Sequence, residues 1–157
     1  MKRETHSKIC IGILVGLFVI LFIVSFSDWF SQVPYSVQFK VHGYTKENAL
    51  AVCGGKDLEK TSFCLNSFTK GIYKYNPTLE TKTLSFNELK EFGGDCRNYA
   101  DLYLELFNKL GFKTQIMNIY VSREDNVLHE HEFLIAYDET GWCSLDQKHR
   151  DCFMYKK

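Results

Sequence analysis

The chain has 157 residues, 45% of them hydrophobic and 15% aromatic, with 19 lysines and arginines against 19 aspartates and glutamates. That length holds one domain and little more, and the aromatic content argues against a disordered chain. Balanced charge supplies neither a basic surface nor an acidic tail, so no nucleic-acid partner is expected.

The first element is apolar. Ile9 to Phe26 carries no charge, amide or proline. As a helix it spans about 27 Å, close to the roughly 30 Å hydrocarbon core of a bilayer. Lys2, Arg3 and Lys8 precede it and Asp28 follows. A positive flank stays on the cytoplasmic side. Residues 1–8 are therefore expected as a cytoplasmic tail and 9–27 as a single-pass membrane anchor, with the rest extracytoplasmic. Trp29 and Phe30 fall at the headgroup level. A cleaved signal peptide is the alternative, with Ser25 and Ser27 as its small residues, but the run exceeds the usual h-region of about 7–15 residues. Either reading exports the remainder of the chain. Residues 28–43, with Pro34 and an apolar–polar alternation from Tyr35 to Val41, read as a tether, and 44–157 as the folded domain.

Within that domain, Thr45 can cap a helix running to Val52 or Cys53, stopped by Gly54–Gly55. Asp57 can cap the next, with Leu58, Phe63, Leu65, Phe68 and Ile72 broadly on one side and Asn76–Pro77 as its end. Ser85 with Glu88 three residues on forms a capping box, opening a short helix through Phe92 that Gly93–Gly94 stop. Asp95 heads the strongest helix, where Ala100, Tyr103, Leu104, Phe107 and Leu110 recur at helical spacing before Gly111. Alternation then replaces helical spacing. Thr114–Val121, His129–Tyr137 and Trp142–Asp146 read as strands, with turns at Arg123–Asn126 and Glu139–Gly141. Helices followed by consecutive antiparallel strands predict an α+β domain. Trp142 and the aromatics of the Cys96 helix are assigned to its core.

Six cysteines are present, and Cys10 lies in the anchor. The remaining five, Cys53, Cys64, Cys96, Cys143 and Cys152, are an odd set, which in an oxidising compartment points to one thiol kept free for chemistry. Cys53 and Cys64 flank the first glycine break, and Cys143 and Cys152 bracket the final turn. Two local disulfides fit an exported domain, though sequence alone does not fix the pairing. No cysteine–histidine cluster has zinc spacing, so neither metal nor cofactor is expected.

Cys96, in Gly93-Gly94-Asp95-Cys96, sits in the first turn of the strongest helix, where unpaired N–H groups and the helix dipole favour an anion. The paired glycines would let the backbone approach a substrate closely. A thiol nucleophile needs a base, and the base an orienting group. His131, mid-strand, and Asp146, at the end of the next strand, can meet across the strand pair. His129, two positions away on the same strand face, is the competing base. Asn98 and Tyr99 are candidates to line the cleft.

The series Gly94-Asp95-Cys96, Ala100, Leu110-Gly111-Phe112, His131-x-Phe133 and Trp142-x-x-Leu145-Asp146 resembles the transglutaminase-like superfamily. The ordered resemblance covers roughly residues 70–147, and Tyr73 to Pro77 also resembles the segment preceding that family's nucleophile helix. It implies a papain-like core, a nucleophile helix packed on an antiparallel sheet that bears His and Asp. It also implies acyl transfer through a thioester. One departure is charge: the family often has small residues beside the histidine, whereas Glu130 and Glu132 stand here. Alternation should turn both away from His131. The Cys96 N–H, with a group near Tyr75 or Asn76, is the candidate oxyanion donor.

The resulting expectation is a membrane-anchored cysteine peptidase or amidase acting on peptide amides outside the membrane, with Cys96, His131 and Asp146 as its catalytic residues. Its partners would be a protein or peptide substrate and the membrane. Protein-glutamine transamidation is the enzymatic alternative, and a non-catalytic interaction module of the same fold is the third reading.

Overall fold

The computed structural model describes residues 33–79, 82–122 and 128–155, together with Gly16 and Val19. Met1–Pro34 and Tyr35–Lys157 form separate units. No helix among the described residues is long and apolar enough to cross a membrane. The expected anchor lies outside them except for Gly16 and Val19, as does the expected turn at Arg123–Asn126.

The folded unit begins earlier than the sequence implied. Tyr35–His42, assigned to a tether, is helix α1. Its Phe39 is fully buried, 5.1 Å edge-on from Phe68 and 5.9 Å from Tyr44. A two-residue alternation from Tyr35 to Val41 was a weaker signal than burial of one aromatic ring. Helix α2 (Lys46–Cys53) follows its Thr45 cap, whose hydroxyl accepts the Asn48 N–H, and α3 (Leu58–Ile72) follows Asp57, which accepts the Lys60 N–H. Leu58, Leu65, Phe68 and Ile72 of α3 are buried, but Phe63 is 52% exposed and stacks instead under the Arg150 guanidinium. The helix stops at Ile72, ahead of Asn76–Pro77, because Tyr73 turns extended and leads residues 74–76 elsewhere. A 3-10 turn (Pro77–Leu79), α4 (Phe86–Phe92) and α5 (Cys96–Lys109) complete the helical part.

Four strands follow in sequence order as one antiparallel sheet: β1 (Lys113–Ser122), β2 (Leu128–Asp138), β3 (Gly141–Leu145) and β4 (Arg150–Met154). The fold is α+β, as predicted. The fourth strand had not been anticipated; it is short, and its identity depends on pairing with β3. Helix α5 packs on β1 and β2, and α3 on β3 and β4, so the helices cover one sheet face. Leu134, Ala136, Cys143 and Leu145 point into that layer and join Leu65, Phe68, Tyr103, Leu106 and Phe107 in one core. At roughly 1.5–3 kcal/mol per buried Leu or Phe, this shared core rather than helix propensity holds such short helices. Trp142, expected in the core, lies on the opposite face, 37% exposed and stacked on Phe153.

Disulfides join Cys53 to Cys64, between α2 and α3, and Cys143 to Cys152, which stand opposite each other in β3 and β4. Among the described residues Cys96 is the free cysteine.

Candidate active site

Two glycines set where α5 begins. Gly93 ends α4 at φ +80°, and a Cβ there would come within 2.5 Å of the Lys74 carbonyl oxygen. A Cβ on Gly94 would stand 2.6 Å from Asn98 Oδ1. The space they leave is filled by the chain itself. Gly94 N–H donates to Lys74 O and Asn76 N–H donates to Gly94 O, both at 3.0 Å, while Asn76 Nδ2 donates to Phe92 O at 2.9 Å. Close approach to a substrate is therefore not what the glycine pair provides; it seats residues 74–76 against the helix start. Tyr99 secures the same segment, its hydroxyl accepting the Lys74 N–H at 2.8 Å and donating to Lys74 O at 3.0 Å. Tyr99 and Asn98 are buried and structural rather than cleft-lining. Asn98 and Asp95 close a reciprocal cap, each side chain accepting the other's N–H at 3.1 Å.

Cys96 is the first residue of α5, half-buried. Asp95 takes the Asn98 N–H, and no hydrogen bond reaches the Cys96 N–H among the described residues. A developing oxyanion beside the sulfur would find that donor. Asn76, the other proposed donor, is committed to Phe92 O through its amide nitrogen, while its oxygen accepts from Thr78.

The sheet brings the two other predicted residues together. His131 lies opposite Ile119 of β1, three positions before Leu134, where pairing with β3 starts. Asp146 follows directly on β3. His131 Nε2 is 3.3 Å from Asp146 Oδ2. The other carboxylate oxygen accepts the Lys148 N–H at 2.6 Å and the His149 N–H at 2.5 Å, so the turn after β3 pins the group. With Nε2–H donating to Asp146, Nδ1 carries the lone pair of neutral imidazole and is the nitrogen able to accept a proton. It is His131, not His129, that meets Asp146.

Cys96 and His131 share a cleft of about 430 Å³, lined also by Tyr75, Pro77, Asp95, His129, Glu130 and Gln147. No hydrogen bond joins the thiol to His131 among the described residues. Such contacts often tighten only when substrate binds. A second cavity, about 300 Å³, lies between α4 and α5 and includes Lys46, Asp101 and Glu105. It contains no cysteine or histidine, and its Lys46 already pairs with Glu105, so the larger cleft is the candidate site.

One of the two glutamates departs from expectation. Glu130 lines the cleft beside His131, although alternation turned it away. From His129 to Phe133, β2 pairs with β1 alone, leaving an edge around which the cleft reaches both strand faces. Glu132 does turn away and is only 8% exposed, with Arg97 Nε 3.6 Å off. Tyr73 was named only within a segment. Its ring packs 5.2 Å from Tyr99 with Lys148 Nζ 5.9 Å above it. Burial pushes its phenol up, and the charges of Tyr75, Asp146 and Cys96 add to that, so Tyr73 belongs to the site's surroundings.

Burial also raises the Glu132 carboxyl, against the opposing pull of Arg97 and with help from Asp101, Asp95 and Glu130. The native state thus keeps a proton that the unfolded chain releases near the ordinary glutamate value of about 4.3. Where only the unfolded chain has released it, stability falls as pH rises. Urea unfolding from about pH 4.5 upward should show a decline that Glu132→Gln removes. An unchanged slope in that variant would assign the decline to another group.

Compared with known proteins, the chain matches no family model and no curated protein.

Proposed function

We propose that this chain is a thiol-dependent acyl-transfer enzyme of the transglutaminase-like kind, a peptidase or amidase acting on peptide amides. The observation carrying the proposal is the pairing of His131 with Asp146 at the rim of the cleft that holds Cys96, the free thiol at a helix start. A nucleophile helix lying on an antiparallel sheet that bears the base and its carboxylate supports the papain-like reading of the core.

Chemically, Cys96 Sγ attacks the amide carbon as His131 Nδ1 takes the thiol proton. The carbonyl oxygen gains charge beside the Cys96 N–H. Asp146 holds the ring and stabilises imidazolium. Collapse breaks the C–N bond, the amine leaves with the proton from Nδ1, and the acyl group stays on sulfur as a thioester. Water, deprotonated by the same nitrogen, releases the acid and restores the thiol. Incubating wild-type chain and Cys96→Ala with a mixed peptide pool, and reading new termini and hydrolysed side-chain amides by mass spectrometry, tests this. Products should depend on Cys96; identical pools from the two proteins would remove the proposal. A labelled primary amine in the same mixture reports transamidation instead of hydrolysis.

The proposal includes attachment through residues 9–27, with the domain outside. Protease added to intact cells should then degrade the domain. Digestion only after permeabilisation would place it on the other side.

A further inference from the structure

We propose that Glu130, backed by Asp95, makes the Cys96 cleft select a positively charged group on the substrate, a lysine or arginine side chain or a free amine next to the attacked amide. This rests on Cys96 being the nucleophile. The cleft's eight lining residues include two carboxylates and no lysine or arginine. Cations nearby are engaged elsewhere: Arg97 stands 3.6 Å from Glu132, and Lys148 lies over the Tyr73 ring. Asp95, 5% exposed, spends one carboxylate oxygen on the Asn98 N–H. Glu130 is exposed on the unpaired edge of β2 and lines the cleft, and neither Arg97 nor Lys148 is seen paired with its carboxylate among the described residues.

The same cleft offers Tyr75, 52% exposed, and Pro77. An aromatic face and a proline ring suit the methylene stem of a lysine or arginine, whose head then reaches the carboxylates. An acidic side chain in the same place would meet two like charges. The glutamates that depart from the family pattern thus divide their roles: Glu132 fixes Arg97, and Glu130 reads the substrate.

The test uses the full chain with Cys10→Ser, so that Cys96 is its one free thiol. Rates of Cys96 modification are measured with a cationic methanethiosulfonate (trimethylammonium-ethyl) and an anionic one (sulfonato-ethyl). The cation-to-anion rate ratio is divided by the same ratio for 2-mercaptoethanol, which removes the intrinsic difference between the two reagents. We expect a quotient of about ten in favour of the cation, the size of a unit-charge effect a few ångströms from the sulfur near a protein surface. Glu130→Gln should bring the quotient below about three, and high salt should compress it. A wild-type quotient of about one, or one that Glu130→Gln leaves unchanged, overturns the assignment. Uncharged iodoacetamide reports the nucleophile separately: alkylation of Cys96 no faster than of a free thiol would end the enzyme proposal whatever the charge preference.

Discussion

Cys96→Ala should abolish turnover on any substrate found for this chain, because nothing else in the cleft can form the thioester. His131→Ala should cost nearly as much, about 10³-fold or more in kcat/KM, since a nucleophile and its base act as a unit. Asp146→Asn should cost less than either: the amide can still meet Nε2, but the charge stabilising imidazolium is lost. His129→Ala should cost less than about threefold. That last contrast discriminates most, because both histidines line the cleft and only His131 is 3.3 Å from Asp146. An inactive His129→Ala beside an active His131→Ala would reverse the base assignment. Full activity in Cys96→Ala would remove the enzyme. Each variant is compared at equal folded fraction, because a lost core contact imitates lost chemistry.

What the sequence made legible was mostly local. Thr45, Asp57, the Ser85–Glu88 box and Asp95 all cap as expected, because a cap is decided within three or four residues. His131 and Asp146 could be brought together on paper because one short turn fixes the neighbours β2 and β3. Features settled by distant partners were not legible. Helix α1 exists because Phe39 finds Phe68 and Tyr44, and β4 because Cys152 stands against Cys143. Gly93 and Gly94 looked like room for a substrate, whereas the room is taken by Lys74 at the first and by Asn98 and Leu89 at the second. Glu130 shows a different limit. Alternation sets which strand face a side chain leaves from, but at Glu130 β2 has pairing on one side only, so the cleft passes round the free edge and meets both faces.

Replacing Cys143 and Cys152 together by Ala should lower stability by about 2.5–3 kcal/mol, the loop-closure value for a loop this short. Cys53→Ala with Cys64→Ala should cost about the same, since the separations are 9 and 11 residues. On a domain whose total is about 5–15 kcal/mol, each is a large fraction, and each should shift the melting temperature by about 10 °C. Function should separate the two. The Cys143–Cys152 loop contains Asp146 and the Lys148 and His149 N–H groups that pin it. Its Cys152 sulfur also accepts from Arg150 Nη1 and lies against Ser62 Oγ, each at 3.2 Å, which ties β4 to α3. Opening that loop lets the carboxylate drift from His131, so turnover per folded molecule should fall about tenfold or more, as misplacement of a catalytic group by an ångström does. The Cys53–Cys64 loop closes over the α2–α3 junction and holds no cleft residue. Its variant should keep turnover per folded molecule while losing the same stability. Equal turnover in both variants would mean that the Asp146 turn is held by its own hydrogen bonds and that the second disulfide serves β4 alone.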